Sequence, residues 1–169
     1  MLTADRVIEL LDLTPLPVEG GFFRQTYVSD ETIPGQALPR RYGRAKTLGT
    51  AIYYLLTSDP DSFSALHRLP TEEIYHFYLG DPVEMLLLHA DGRSERVRLG
   101  HDILGGERVQ LVVPRGVWQG SRLLEGGGFA LMGTTMAPGF DEGDYAGGQR
   151  EELIRRYPGE ADRIRRLTR

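Results

Sequence analysis

The sequence predicts an all-β domain, a small barrel with a helix at either end. Three observations carry this. From Thr47 onward, short stretches rich in β-branched and aromatic residues alternate with turn signals, the spacing of an antiparallel sandwich or barrel rather than of βαβ units. Two of these stretches are His67-Arg68-Leu69-Pro70-Thr71-Glu72-Glu73-Ile74-Tyr75-His76-Phe77-Tyr78-Leu79-Gly80 and Pro114-Arg115-Gly116-Val117-Trp118-Gln119. They set polar side chains on consecutive strands, as in a barrel whose polar groups point into its mouth. Finally, 169 residues accommodate one domain with a full core and are short for two.

The elements follow in order. Thr3 is placed to cap a helix over residues 4–11, with Asp5 in the first turn where the helix dipole favours an acid. Val7, Ile8, Leu10 and Leu11 give it an apolar face, and Pro15 and Pro17 end it. Glu19-Gly20-Gly21 punctuates the chain before residues 22–28, whose aromatic and β-branched content reads as a strand. Residues 29–46 are polar and broken by Pro34, Gly35, Pro39 and Gly43. They read as a loop, of a length that compact domains tend to reserve for function or contacts.

Strands are then expected over residues 50–56, 62–69, 73–79, 83–89, 94–99, 108–113, 119–123 and 129–136. Turn signals such as Asp59-Pro60, Gly105-Gly106 and Gly126-Gly127-Gly128 bound them, and Asp91-Gly92 supplies the positive φ of a tight hairpin. Pro138-Gly139 reads as a turn, with Phe140 plugging the core. Residues 149–157 have helical spacing, with Leu153 and Ile154 on one face; Pro158-Gly159 interrupts, and 160–167 add a turn or two. The arginines of this tail interleave with Glu151, Glu152, Glu160 and Asp162, which describes a solvated face laced with ion pairs.

Composition removes most chemistry. A net charge of −4 lacks the basic footprint of a general nucleic-acid binder. No apolar run approaches the roughly 20 residues that span a bilayer, so neither nucleic acid nor membrane is expected as a partner. Met1-Leu2-Thr3-Ala4-Asp5-Arg6 has neither the basic nor the apolar region of a secretory signal, and a cytoplasmic location is the expectation. With no cysteine, disulfides, thiolate nucleophiles and cysteine-based metal sites drop out together. Lys46 is the only lysine, so Schiff-base or lysine-base chemistry would have to use it. No nucleophile elbow and no glycine-rich phosphate loop is present. Histidines, carboxylates, tyrosines and amides remain, which leaves acid–base or metal-assisted chemistry, or binding alone.

His67, Glu73 and Gly80 at their spacing resemble the first motif of the cupin superfamily, and Pro114-x-Gly116 the core of the second. The blocks Glu19-Gly20-Gly21-Phe22-Phe23-Arg24, Thr50-Ala51-Ile52-Tyr53-Tyr54, His67-Arg68-Leu69, Glu73-Ile74-Tyr75-His76-Phe77, Val113-Pro114-Arg115-Gly116-Val117-Trp118-Gln119 and Ala137-Pro138-Gly139-Phe140-Asp141 are similar to one branch, the DUF985-type (Cupin_5) proteins. The likeness runs from about Leu10 to Pro158. It implies a double-stranded β-helix, the cupin jelly roll, with its barrel at about residues 20–140 and short terminal helices. It also implies a homodimer, in a branch whose members mostly lack an assigned activity.

Metal-binding cupins usually offer two histidines and a glutamate from the first motif and a third histidine from the second. Here His67 and Glu73 stand at the first histidine and the carboxylate, but Leu69 replaces the second histidine and Gln119 the third. Leucine cannot ligate, and a neutral amide is a poor substitute for imidazole. Strand alternation turns His76 to the face opposite Glu73, Tyr75 and Phe77. No cofactor is therefore expected, and a divalent transition metal, if used, would have to rely on His67, Glu73 and Gln119.

Without metal, the resemblance sets His67, Glu73, Tyr75 and Gln119 together in the barrel mouth, with Phe77 and Trp118 as apolar walls. Such a pocket suits a small polar ligand such as a sugar or keto acid. As an isomerase or epimerase of a carbohydrate-like substrate, it would use His67 as base, Glu73 as its orienting carboxylate or as acid, and Tyr75 as proton donor. Gln119 would position the substrate. The alternatives are a metal-dependent dioxygenase or isomerase working through His67, Glu73 and Gln119, and a non-catalytic storage or regulatory binding protein. A second copy of the chain is the expected protein partner, since exposed sheet faces and edges favour C2 pairing.

Overall fold

Alternation at period two gives each strand one apolar face, and the chain buries those faces by setting two sheets against each other. The computed structural model describes residues 2–169. Its first sheet holds, in spatial order, β1 (Thr14–Pro15), β2 (Phe22–Val28), β5 (Thr50–Thr57), β12 (Phe129–Met136), β7 (Glu73–Gly80) and β10 (Gln110–Val113). The second holds β13 (Ala146–Gly147), β6 (Phe63–Arg68), β11 (Trp118–Leu123), β8 (Val83–Leu88) and β9 (Ser94–Leu99). A short pair, β3 (Thr32–Ile33) with β4 (Lys46–Thr47), lies apart.

From β5 to β12 the chain passes repeatedly from one sheet to the other, the jelly-roll pattern. The two sheets do not join into one continuous ladder among the described residues, so the expected barrel is an open sandwich. The long strands lie within a few residues of their expected bounds. The unexpected ones, β1, β3, β4 and β13, are two-residue pairings, too short to show a period.

Three apolar clusters hold this together. Between the sheets lie Tyr54, Leu56, Met85, Leu99 and Met132, all nearly inaccessible. Helix α1 (Ala4–Leu11), capped by the Thr3 hydroxyl, which accepts from Arg6 N at 3.3 Å, packs Val7 with Leu55, Phe129 and Leu131 on the outside of the first sheet. Helices α2 (Arg150–Arg156) and α3 (Ala161–Arg166) cover the second sheet, with Leu153 and Ile164 against Leu66, Leu86 and Leu88. Burying each of those two side chains is worth about 1.5–3 kcal/mol. The helices' outer faces carry the expected ion pairs, Arg163–Glu160 at 3.3 Å and Arg165–Asp162 at 2.7 Å. No helix among the described residues is long and apolar enough to cross a membrane.

The 29–46 segment is more structured than a bare loop. It holds β3 and two 3-10 turns, Gly35–Ala37 and Arg40–Tyr42, and it buries Tyr42, whose hydroxyl accepts from Thr71 at 3.1 Å. Its end is tied to the segment after β12 by Arg44–Asp141 at 2.6 Å, Arg44–Asp144 at 3.0 Å and Lys46–Asp144. Lys46 is therefore an ion-pair partner inside the protein and lies outside the cavity described below.

Candidate functional site

The inward positions of three strands assemble the site. On β7 the alternation is regular: Glu73, Tyr75 and Phe77 face inward and are buried. His76 faces out, as its parity requires, and is hydrogen-bonded to Gln110 and Thr135, each at 3.2 Å. On β11 the same rule sends Gln119 inward. Strand β6 departs from it. Gln119 is paired with His67, but Ser121 is paired with Ser64, so β6 carries one residue more than its partner. This bulge switches the parity of the strand and turns His67 inward. Gly120 lies opposite the bulge; a Cβ there would stand 3.0 Å from Ser64 O and from Leu66 Cγ.

The bulge also orients the imidazole. His67 Nδ1 lies 2.8 Å from the Ala65 carbonyl, which can only accept, so Nδ1 carries the hydrogen and Nε2 is left facing Glu73. Tyr145 stacks on the ring, 5.0 Å between centroids and 18° from parallel. Glu73 Oε2 accepts from Gln119 Nε2 at 2.8 Å and from the Tyr75 hydroxyl at 3.4 Å, and stands 4.0 Å from His67 Nε2. That last distance is too long for a hydrogen bond. A ligand atom about 2.9 Å from each group would bridge them. Gln119 Oε1 is buried without a partner among the described residues.

Burial disfavours charge here. Desolvation pushes the Glu73 carboxyl above its ordinary value, the nearby His67 partly offsets this, and Glu19 reinforces it. Desolvation likewise holds the Tyr54 and Tyr75 hydroxyls well above the usual phenol range. Neutral carboxyl and phenol groups donate hydrogen bonds as well as accept them. The site is thus rich in groups that can donate as well as accept hydrogen bonds.

These side chains border a cavity of about 90 Å³. His67, Glu73 and Tyr75 line it, joined by Glu19, Tyr54 and Thr134, which the sequence pattern did not single out; Gln119, expected to position the substrate, is not on the wall and reaches it only through its hydrogen bond to Glu73. The Glu19-Gly20-Gly21 block had marked only a turn, since nothing local says that the turn reaches the interior. Phe140 belongs to the wall and is 38% exposed, so it is not a core plug. Phe77 lies in the apolar packing between the sheets, edge-on to His101 at 4.9 Å, and not on the cavity wall. Trp118 is on the far side of its sheet, packed with α2 and α3 and under Arg68 at 4.6 Å. The reason is geometric: neighbours on one strand face opposite ways, so Gln119 inward means Trp118 outward.

A larger groove of about 1150 Å³ runs beside α1. Two of its carboxylates are engaged with backbone amides, Asp59 with Asp61 N at 2.8 Å and Asp81 with Gly128 N at 2.7 Å. Among the described residues it gathers no buried acid–base groups, and the chemistry sits in the smaller cavity.

The donor set does not fit a transition metal. Leu69, at the position of a metal-site histidine in the first motif, lines the cavity with an apolar side chain. Glu73 and Gln119 are bound to each other. Among the described residues no three histidine, cysteine, aspartate or glutamate side chains gather as a metal would require.

Comparison with known proteins agrees with the fold and the motifs. The model of the family described as "Cupin superfamily (DUF985)", Cupin_5, matches residues 5–147. An uncharacterised protein of Saccharomyces cerevisiae is 31% identical over 150 residues, covering 83% of this chain and 73% of its own. A Shewanella oneidensis protein of known structure superposes with a TM-score of 0.87 at 31% identity, over 100% of this chain and 99% of that one. A hypothetical protein from Leishmania major gives 0.85 at 29% identity, over 99% of each chain. Bacillus subtilis oxalate decarboxylase shares the fold alone, with a TM-score of 0.53 at 17% identity over 93% of this chain and 37% of its own. This chain belongs to the Cupin_5 (DUF985) family of the cupin superfamily.

Proposed function

We propose that the protein binds a small, neutral, carbohydrate-like hydroxycarbonyl compound in this cavity and interconverts it by proton transfer, as an isomerase or epimerase. The observation that carries this is the convergence of Gln119, Tyr75 and His67 on the buried Glu73 carboxyl beside an enclosed space. His67, its Nδ1 engaged by Ala65, has Nε2 free to take a proton from the carbon beside the carbonyl. Protonated Glu73 or Tyr75 gives a proton to the carbonyl oxygen, which yields an enediol. Return of the proton from His67 to the neighbouring carbon, or to the other face of the same carbon, while the matching enediol hydroxyl gives its proton back to Glu73 or Tyr75, completes isomerisation or epimerisation.

Two features of the wall narrow the ligand. The volume of about 90 Å³ is small beside the roughly 300–1,000 Å³ of ordinary ligand pockets, which favours a small ligand. Glu19 lines it beside Glu73, whose charged form burial disfavours, and among the described residues no arginine or lysine does. A neutral hydroxycarbonyl compound therefore suits it better than a keto acid. We further propose that the chain pairs as a homodimer through the outer face of the first sheet beyond α1, where Val112 and Tyr78 are exposed.

The test is proton exchange. Dihydroxyacetone in D₂O should lose its carbon-bound protons to deuterium when the protein is added, followed by proton NMR. His67→Gln and Glu73→Gln should each lower the exchange rate at least about a hundredfold, the scale of one general acid–base group. Binding without exchange would make this a binding protein. Exchange unaffected by either substitution would remove the site from the reaction.

A further inference from the structure

The turn that carries Glu19 adopts a backbone that its own packing does not explain. Val18 has φ of +69°, Gly20 +102° and Gly21 +73°. Glycine accepts such angles freely, whereas a β-branched residue does so only under steric strain. Val18 gains nothing through burial, being 72% exposed. What the strain does is close the turn: Leu16 N donates to Gly21 O and Gly20 N to Leu16 O, both at 3.0 Å. Tyr54 donates to Gly20 O at 3.0 Å, and Arg169 donates to Val18 O at 3.3 Å and to Asp61 O at 3.0 Å. A Cβ on Gly21 would lie 2.8 Å from Leu55 O, so the turn is pressed onto the first sheet.

The result is that Glu19 is pinned at the cavity wall. Its carbonyl accepts from Ala65 N at 2.9 Å, and its Oε1 accepts from the Ser64 hydroxyl at 2.7 Å. Among the described residues no arginine or lysine lines the cavity to offset the charge. Glu19 is also among the charges that push the Glu73, Tyr54 and Tyr75 values upward, behind desolvation, which comes first for all three.

We propose that Glu19 is the specificity-determining group of the cavity: a second carboxylate, held at the wall by the strained 16–21 turn, that admits neutral hydroxyl-bearing ligands and repels anions. This rests on reading the cavity as a ligand site. Dihydroxyacetone and pyruvate separate the two properties, because they are close in size and differ in charge. Their affinities are measured by ligand-observed NMR on wild type, Glu19→Gln and Ser64→Ala. Wild type should prefer dihydroxyacetone by at least about tenfold, and Glu19→Gln should shrink that ratio by about tenfold. The amide oxygen introduced by Glu19→Gln can still accept from Ser64, which keeps the turn anchored. Ser64→Ala keeps the charge and should keep the ratio. Should wild type bind neither probe, the ligand reading fails and the specificity proposal falls with it, whereas binding with a ratio unmoved by Glu19→Gln overturns the proposal alone.

Discussion

Lys46 and Asp144 offer the sharpest test of how this fold is held. Their side chains are only 1% and 6% exposed, they pair directly, and they lie 98 residues apart in sequence. Removing one member of a buried pair strands the other charge, which costs about 3–5 kcal/mol. The two removals are not equivalent. In Lys46→Met, Asp144 keeps Arg44 at 3.0 Å, so the loss should sit at the lower end, about 3 kcal/mol. In Asp144→Leu, Lys46 is left with no other hydrogen-bond partner for its ammonium among the described residues, and the loss should approach about 5 kcal/mol. At roughly 2–4 °C per kcal/mol for a chain of this size, melting should drop by about 6–12 °C and 10–20 °C respectively. The double variant replaces the pair with apolar side chains and should lose less than the sum of the singles. Differential scanning calorimetry gives the melting shifts. Because Lys46 is the only lysine, a nitrogen-15 lysine label gives a single ammonium resonance that reports the pair directly. Losses below about 1 kcal/mol in both single variants, the range of exposed pairs, would refute the reasoning.

Other expectations follow from the same geometry. Glu73 has its folded-state pKa raised above the ordinary 4.5, chiefly by burial. Folding therefore favours its protonated form, a contribution complete below about 4.5 and lost as pH rises through the raised value. The melting temperature of Glu73→Gln relative to wild type should accordingly climb as pH is raised from about 4 to 8; a flat difference would contradict the shift. Val18→Gly should relieve strain of about 1–3 kcal/mol against about 0.5–1 kcal/mol for the freer unfolded chain. A net gain in thermal unfolding is expected, and a loss would show that Val18 is not strained. Val112→Arg, on the exposed outer face of the first sheet, should convert a dimer to monomer in light scattering after gel filtration. A dimer that survives it lies elsewhere, and a monomeric wild type removes the dimer.

The residues themselves determined a good deal. Period-two runs between turn residues placed the long strands, because side-chain alternation is a property of the extended backbone and needs no partner. Thr3, Pro15 and Pro158 marked helix bounds for equally local reasons. His67, Glu73, Tyr75 and Gln119 were legible as one cluster through motif spacing, and the structure brings them together. What only the tertiary structure decided depends on register between distant strands. The extra residue in β6 that turns His67 inward exists only as a mismatch with β11. Glu19 reaches the cavity because the 16–21 turn folds against Leu55 and Ala65, far along the chain. Lys46 finds Asp144 across the whole jelly roll. Trp118 is the instructive case: alternation already held the answer, but which of two neighbours turns to the interior, where Gln119 meets Glu73, became clear only when the opposite sheet fixed the sign.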